Sequence, residues 1–253
     1  IADKHNDIKR LLDNMKKELV LARQIQLSLL PEKCPKMSSA RFAAMYRPMV
    51  EVGVDFYDFI RFQENNLLGF FISDVSGHGL PAAIITSMLK ILGSTSGHMR
   101  LSTSGFLNYI NSSLVGQIGE SFLTAIYAIY DSDTRILRYS RAGHPYPVLF
   151  RKGEVEQLLC GGTVIGVTPS ASFEEYSITL EPGDRLLFYT DGLTEESGRS
   201  NEMFSDSFFE TVLPALVDMG IDEIINLSYR SLVEFSGTEN FSDDICILGM
   251  EVF

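Results

Sequence analysis

Six aspartates border or interrupt apolar runs of strand length, where carboxylates are uncommon. They are Asp55 and Asp58 within residues 52–59, Asp74 after 67–72, Asp191 after 186–189, and Asp243 and Asp244 before 245–248. An unpaired buried carboxylate is costly, and a shared divalent cation would remove that cost for several of them at once. Because Mg²⁺ and Mn²⁺ prefer oxygen ligands, the pattern predicts a metal centre built from carboxylates.

Glycines follow two of these acids. Gly77 and Gly79 come after Asp74, and Gly192 comes directly after Asp191. Such glycines let a backbone turn sharply and approach a metal or a substrate closely. Taken singly, each is better explained by an ordinary turn with a solvated aspartate, but three instances in one chain favour a common site.

The elements that would position these acids are mainly strands. Alternating apolar residues predict strands at 40–47, 54–62, 67–74, 122–130, 136–142, 147–151, 176–180, 185–190 and 244–252. Helices are predicted at 81–93, 104–118, 205–219 and 221–235. Because the strands come in runs joined by short turns and the helices come in pairs, we expect an α+β fold of antiparallel sheets with segregated helices.

Residues 3–30 contain neither proline nor glycine and predict a long amphipathic helix that ends at Pro31. Apolar residues recur in it every seven positions, at Ile8, Met15, Ala22 and Leu29. The helix could pack on its own domain or form a coiled coil that pairs two chains, and the second interpretation is slightly favoured. We therefore predict a helical linker over 1–30 and one domain over 31–253. The start at Ile1 suggests a longer protein with an upstream sensor.

Composition narrows the functional classes. The chain has 253 residues, of which 45% are hydrophobic, and a formal net charge of −12. No apolar run approaches the roughly 18 residues that a membrane span needs. No Lys/Arg cluster is available to neutralise phosphates, which argues against a nucleic-acid or anionic-membrane partner. Cys34, Cys160 and Cys246 form no C-x-x-C pair, so a reducing cytoplasm is predicted.

Seven segments resemble, in order, the motifs of bacterial PPM-type (protein phosphatase 2C-like) serine/threonine phosphatases of the RsbU/SpoIIE branch. They read VGVDFYDF (52–59), SDVSGHGLPAA (73–83), AGHPYPVLFRKGEVEQL (142–158), GGTVIGV (161–167), LEPGDRLLFYTDGLTEE (180–196), NEMF (201–204) and SDDICIL (242–248). The resemblance covers nearly the whole chain. It implies a four-layer α-β-β-α sandwich, in which helix pairs flank two antiparallel sheets.

The resemblance also implies a binuclear Mn²⁺ or Mg²⁺ centre between the sheets. Asp74 would bridge the two ions, and the Val75 carbonyl would bind one of them. Asp191 and Asp243 would bind the other, and Asp74, Asp191 and Asp243 would be the catalytic residues. Asp55 would act directly or through water. Of the remaining acids, Asp244 is a less certain ligand than its neighbour, and Asp58 is expected to be structural.

The implied reaction is hydrolysis of phosphoserine or phosphothreonine by activated water, without a protein nucleophile. In this branch the usual substrates are phosphorylated anti-sigma-factor antagonists, and the domain is the output of a signalling protein. A Ser/His/Asp hydrolase is disfavoured because no G-x-S-x-G elbow occurs. We expect His78 and His144 to be loop histidines, and the alternative for His78 is a contact with substrate. The acidic surface disfavours a nuclease.

One position departs from the family pattern. The family usually has two glycines before its first aspartate, whereas this chain has Gly53 and then Val54. If positive φ is required there, valine would displace Asp55 and weaken the second metal. The departure keeps an alternative open, in which an impaired phosphatase fold acts as a phosphoprotein-binding regulatory module.

Overall fold

The structure, a computed structural model, describes residues 2–49, 52–198 and 202–253. Within them the strands are β1 (Ala40–Arg47), β2 (Asp55–Arg61), β3 (Leu67–Val75), β4 (Leu123–Asp131), β5 (Ile136–Ala142), β6 (Val148–Arg151), β7 (Glu154–Gln157), β8 (Tyr176–Thr179), β9 (Arg185–Tyr189) and β10 (Ile245–Val252). The helices are α1 (Ala2–Leu29), α2 (Leu80–Thr95), α3 (Thr103–Leu114), α4 (Phe204–Ser207), α5 (Leu213–Ala215) and α6 (Ile221–Ser236).

The strands form two five-stranded sheets. Sheet A has the order β1-β10-β9-β6-β7, and sheet B has the order β2-β3-β4-β5-β8. Every neighbouring pair is antiparallel. The chain therefore builds most of sheet B from consecutive strands and then crosses to sheet A after β5.

Three apolar layers hold the sheets and helices together. Alternate residues of both sheets meet between them, and the rings of Phe70 and Phe188 lie 5.0 Å apart across that interface. The opposite face of sheet B packs on α2 and α3, with Phe106 and Tyr127 at 4.3 Å. The outer face of sheet A packs on α4 to α6. This period-two division of side chains produces the four-layer sandwich.

The predicted fold class is confirmed, and the differences from the prediction are local. Strand β7 was not predicted, because its sequence Glu-Val-Glu-Gln is short and mostly polar. The helix expected over 205–219 is shorter and irregular, since a π-helical turn at Phe208–Val212 separates α4 from α5. The division of the chain at residue 30 remains a prediction.

Helix α1 has two different halves. In its first half, the described side chains from Lys4 to Glu18 are exposed. Near its end, Gln26 is buried and Leu30, just beyond, packs against the cores on both sides of sheet B. No helix among the described residues has the length and apolar character of a membrane span.

Candidate metal centre

Two of the predicted ligands face each other at one end of sheet B. Asp55 opens β2 and Asp74 lies near the end of β3, and the two are directly opposite in register. Their neighbours Phe56 and Val75 pack toward the helices. Because side chains alternate along a strand, Asp55 and Asp74 point into the space between the sheets.

Sheet A brings the other acids to the same region. Asp191 begins a short 3-10 turn directly after β9, and Asp243 and Asp244 directly precede β10. Since β9 and β10 are antiparallel neighbours, the end of β9 and the start of β10 lie at the same end of sheet A. A Cβ atom at Gly192 would clash with the Asp244 carbonyl, so this glycine is needed for the two turns to approach.

Electrostatics confirm that these acids are close enough to interact. Burial, followed by the charges of Asp191, Asp243 and Asp244, raises the pKa of Asp74 to about 7. The pKa values of Asp191 and Asp243 are also raised, mainly by burial. We call Asp55, Asp74, Asp191 and Asp243 the acid cluster. Repulsion within it spans both sheets.

Asp55 is the most deeply buried member of the acid cluster. Burial raises its pKa well above the usual range, and the charge of Asp74 adds to this effect. Thr190, the residue before Asp191, opposes the shift by donating a hydrogen bond of 2.6 Å to Asp55 Oδ2. The Thr190 hydroxyl therefore links β2 of sheet B to the end of β9 in sheet A.

Asp244 has a different environment from its neighbour Asp243. Its Oδ2 accepts hydrogen bonds from Val54 N at 2.6 Å and Tyr46 Oη at 3.2 Å, and its Oδ1 accepts from Met49 N at 2.7 Å. Asp55 N also approaches Oδ2, at 3.4 Å. These bonds fix the loop that leads into Asp55, which gives Asp244 a structural task.

The Gly53-Val54 pair is explained by space and not by backbone conformation. Among the described residues, the only non-glycine residues with positive φ are Arg135 and Lys152. The backbone conformation at position 54 therefore does not require glycine. A Cβ atom at Gly53 would clash with Tyr46 Oη and Asp244 Oδ2. Val54 instead buries its side chain in the core between sheet B and its helices. The conformational objection to this departure is therefore removed.

The acid cluster fits a divalent cation by its donor chemistry. Within residues 2–49, 52–198 and 202–253, no Lys or Arg forms an ion pair with any of its four members. In that part of the chain, no three acidic, histidine or cysteine side chains are already arranged around one point as a metal site. Buried carboxylates without a counter-ion call for positive charge. The fit thus rests on the oxygen donors and their burial.

The remaining predicted residues lie outside the acid cluster. Val75 is buried at the end of β3, so its predicted role as a carbonyl ligand concerns a residue adjacent to Asp74. Asp58 forms an ion pair of 2.8 Å with Lys90 of α2, as suits a structural residue. His78 is exposed in the glycine turn before α2, whereas His144 is fully buried.

Sequence reasoning missed the polar residues that support the aspartates. Gln26 of α1 donates to the Gly53 carbonyl at 2.5 Å and to Thr86 at 3.0 Å, and it accepts from Gly53 N at 2.9 Å. The supporting roles of Thr190 and Tyr46 were also not predicted. Only Thr190 carried a usable signal, because it sits between an apolar strand and Asp191.

The sequence of residues 64–253 matches the family model described as Stage II sporulation protein E (SpoIIE). The chain belongs to the SpoIIE family. The predicted resemblance to this branch of phosphatases is confirmed, and the SpoIIE-family match includes Asp74, Asp191 and Asp243.

Similar sequences and solved structures extend this comparison, and the solved structures show the same fold. The chain is 27% identical over 194 residues to "Phosphoserine phosphatase RsbU" of Bacillus subtilis, covering 76% of this chain and 57% of RsbU. It spans 41–59% of the length of the curated relatives it matches. The SiaA-PP2C domain of Pseudomonas aeruginosa superposes with a TM-score of 0.80 at 20% identity, covering 96% of this chain and 99% of that domain. RsbX in complex with magnesium superposes with a TM-score of 0.65 at 14% identity, covering 87% and 99%.

Proposed function

We propose that this chain is a metal-dependent protein phosphatase that hydrolyses phosphoserine or phosphothreonine on a regulatory protein. The observation that carries the proposal is the acid cluster. Burial raises the pKa of its four carboxylates, charges within the cluster add to the shifts of Asp55, Asp74 and Asp243, and none of the four has a cationic partner among the described residues. The similarity to a protein named phosphoserine phosphatase supports the reaction class.

The proposed ligands are Asp55, Asp74, Asp191, Asp243 and the Val75 carbonyl, for two Mn²⁺ or Mg²⁺ ions. Such ions would neutralise phosphate oxygens and activate water near neutral pH. The protein's own contribution is orientation: Thr190 holds Asp55, and Asp244 holds the loop before it. These contacts fix Asp55 and the loop that leads into it.

The direct test follows phosphate release from phosphoserine peptides with Mn²⁺, with Mg²⁺ and with excess chelator. We expect release only with a divalent cation. Asp58→Asn is the matched control for changes in the cluster, because Asp58 is a half-buried aspartate that pairs with Lys90 instead. Full activity in excess chelator would overturn the metal-dependent reaction.

The alternative function is an impaired phosphatase fold that binds phosphoproteins without hydrolysing them. This alternative was suggested by Val54, because a required positive φ there would have displaced Asp55. Val54 has no positive φ, so that support is lost. Survival of all four cluster carboxylates also argues against it. Calorimetric titration with Mn²⁺ separates the two, because a protein that binds no metal but retains phosphoprotein binding would favour the regulatory module.

We further propose that the substrate is a small phosphorylated anti-sigma-factor antagonist in the cytoplasm, and that the domain responds to an upstream sensor. The RsbU/SpoIIE resemblance supports this class of partner. The chain's charge of −12 makes a nucleic-acid or anionic-membrane partner unfavourable. Purified candidate antagonists, phosphorylated on serine and compared by initial rate, test the assignment.

Pairing of two chains through α1 is part of the proposal. Ile8, Leu11 and Met15 are 59%, 62% and 52% exposed, and a second copy of the helix would remove them from water. Gln26 then connects the paired helix to Gly53, close to Asp55. A shift of the helix could therefore alter the metal centre.

Light scattering tests this pairing. Leu11→Glu with Met15→Glu should weaken dimerisation while leaving the thermal transition of the domain unchanged, because both side chains are exposed. Deleting residues 1–20 should yield a monomer with altered turnover. Lys16→Glu with Lys17→Glu, on exposed positions outside the apolar stripe, is the control. A monomeric intact chain at high concentration would contradict the pairing.

A further inference from the structure

Phe122 is an aromatic residue beside the acid cluster. It directly precedes β4, and Thr124, two residues further along, is directly opposite Asp74 in the β3-β4 register. Residues two apart on a strand lie on the same face, about 7 Å from each other. Opposite residues of neighbouring strands share a face as well. Phe122 is therefore on the face of sheet B that carries Asp74, at the end of the sheet.

The adjacent row of residues supports this orientation. Val75 is paired with Leu123, and Leu123 exchanges two backbone hydrogen bonds with Ile165, at 3.0 and 2.9 Å. All three side chains are buried in the layer between sheet B and its helices. Because faces alternate along a strand, the next row, which contains Ser76 and Phe122, faces the opposite way, toward the space between the sheets.

The backbone of Phe122 is fixed, and its neighbours in this row are small. Ser76 N donates to the Phe122 carbonyl at 2.9 Å, and Phe122 N donates to Ser76 Oγ at 2.8 Å. On the other side, the next residue in the row is Gly166, which has no side chain. Gly166 N donates to Asn111 Oδ1 at 2.9 Å, so that segment is also held in place. A serine with an engaged hydroxyl and a glycine leave the phenyl ring uncovered.

The ring is consequently available to a ligand. Phe122 is 38% exposed, and within the described part of the chain it belongs to none of the three apolar layers. An exposed aromatic side chain gains free energy when another apolar group covers it. A phosphoserine held at the acid cluster would have its own chain passing this ring, and about 7 Å is the length of two extended residues. A side chain one or two positions from the phosphoserine can therefore reach Phe122.

We propose that Phe122 is a specificity-determining residue, which packs against an apolar side chain one or two positions from the phosphoserine of a protein substrate. The proposal deepens the proposed function and rests on it for the position of the phosphoryl group. Divalent cations at the acid cluster would bind any phosphate monoester, whereas Phe122 would favour one that is carried on an apolar segment. Its role is to select the substrate, and it takes no part in the hydrolysis.

The test measures the binding of two phosphonate peptides by calorimetry in the presence of Mn²⁺. Both carry a phosphoserine analogue in which a methylene group replaces the ester oxygen, so they are not hydrolysed. One has leucine at the two positions on each side, and the other has serine there. The unmodified chain should bind the leucine peptide roughly tenfold more tightly, the lower end of what an apolar contact contributes to specificity. Phe122→Ser should abolish this preference, and Phe122→Leu should retain most of it.

Val167→Ser is the matched control. Val167 follows Gly166 and is more exposed than Phe122, at 62%, but it lies outside the row that faces the acid cluster. Val167→Ser should therefore keep the preference of the unmodified chain. An equal loss of preference in this variant would indicate a general apolar surface and overturn the assignment to Phe122. The thermal transition of Phe122→Ser should match that of the unmodified chain, because the ring lies outside the apolar layers.

The outcomes separate this proposal from the proposed function. Equal affinity of the unmodified chain for the two peptides, or a preference that Phe122→Ser retains, would overturn the role of Phe122. Release of phosphate from the corresponding phosphoserine peptides is followed separately. A chain that binds with these preferences but releases no phosphate would retain the role of Phe122 in recognition and lose the enzymatic function. Phosphate release without any preference between the peptides would do the reverse.

Discussion

Asp244 and Asp74 are carboxylates at the same end of the sandwich, yet the protein surrounds them differently. Asp244 is buried and accepts hydrogen bonds from three backbone amides and one tyrosine hydroxyl. Asp74 is also largely removed from water, but its described surroundings supply repulsion from other carboxylates and no hydrogen bond. One aspartate is satisfied by the protein, and the other is left in need of a cation.

This difference separates a structural acid from a functional one. A buried carboxylate that holds several amides stabilises the loop around it. A buried carboxylate surrounded by other carboxylates destabilises the metal-free protein, and this indicates a role in binding. Asp243 and Asp244 differ in the same way: Asp244 is buried with four donors, whereas the partly buried Asp243 accepts one hydrogen bond, from Asp244 N at 2.7 Å, among the described residues.

The largest effect should come from removing charge in the acid cluster. We expect Asp74→Asn or Asp191→Asn to lower turnover by at least about two orders of magnitude, the scale of losing a principal electrostatic group in catalysis. Initial rates with saturating Mn²⁺ measure this effect. Asp58→Asn should retain activity, and a cluster variant with near-normal turnover would show that its carboxylate is not a required ligand.

The second effect concerns stability and should have opposite signs for the two aspartates. Asp244→Ala should lower the free energy of unfolding by roughly 2–4 kcal/mol, because it leaves buried donors around Val54 and Tyr46 without an acceptor. Asp74→Asn should stabilise the metal-free protein at pH 8, because it removes a repelled charge. Urea unfolding in chelator measures both. Destabilisation by both variants would contradict the comparison.

A third effect is the pH dependence of the metal-free protein. The pKa of Asp74 is about 7 when folded, above its usual value. The folded state therefore binds the proton more tightly, and Asp74 should cause stability to fall as pH rises from about 4 to about 7. His144 has the opposite sign, since its lowered pKa makes stability rise with pH up to about 6.5.

The difference in stability between the unmodified chain and Asp74→Asn isolates the contribution of Asp74 to the pH dependence. Urea midpoints in chelator should converge at low pH and separate by pH 7, with Asp74→Asn the more stable. Saturating Mn²⁺ should reverse that order, because the cation binds the carboxylate in place of the proton. An unmodified chain that gains stability relative to Asp74→Asn between pH 5 and pH 7 in chelator would contradict the assignment.

The sequence pattern predicted the antiparallel strands and segregated helices well because those signals are local, whereas the four-layer sandwich was implied by the family resemblance. Alternation along β3 and β10 and the acids at their ends are visible without any partner strand. The supporting contacts could not be predicted, because Gln26 meets Gly53 and Thr190 meets Asp55 only after folding. Strand β7 was not predicted for a different reason. It is a short edge strand of four mostly polar residues, and such a sequence has no apolar alternation.

The smallest effect should come from Val54, the one departure from the family pattern. Val54 has no positive φ, and its side chain is 5% exposed in the core beside α2. Val54→Gly keeps the backbone amide that donates to Asp244, so Mn²⁺ affinity and turnover should change little. The loss should appear in stability, because glycine removes buried apolar volume and adds backbone freedom in the unfolded chain.

Calorimetric titration and urea unfolding of Val54→Gly beside Val54→Ala, which keeps a Cβ atom, measure the two properties. Tighter metal binding in the glycine variant alone would mean that valine does impair the centre, and would restore the regulatory-module alternative.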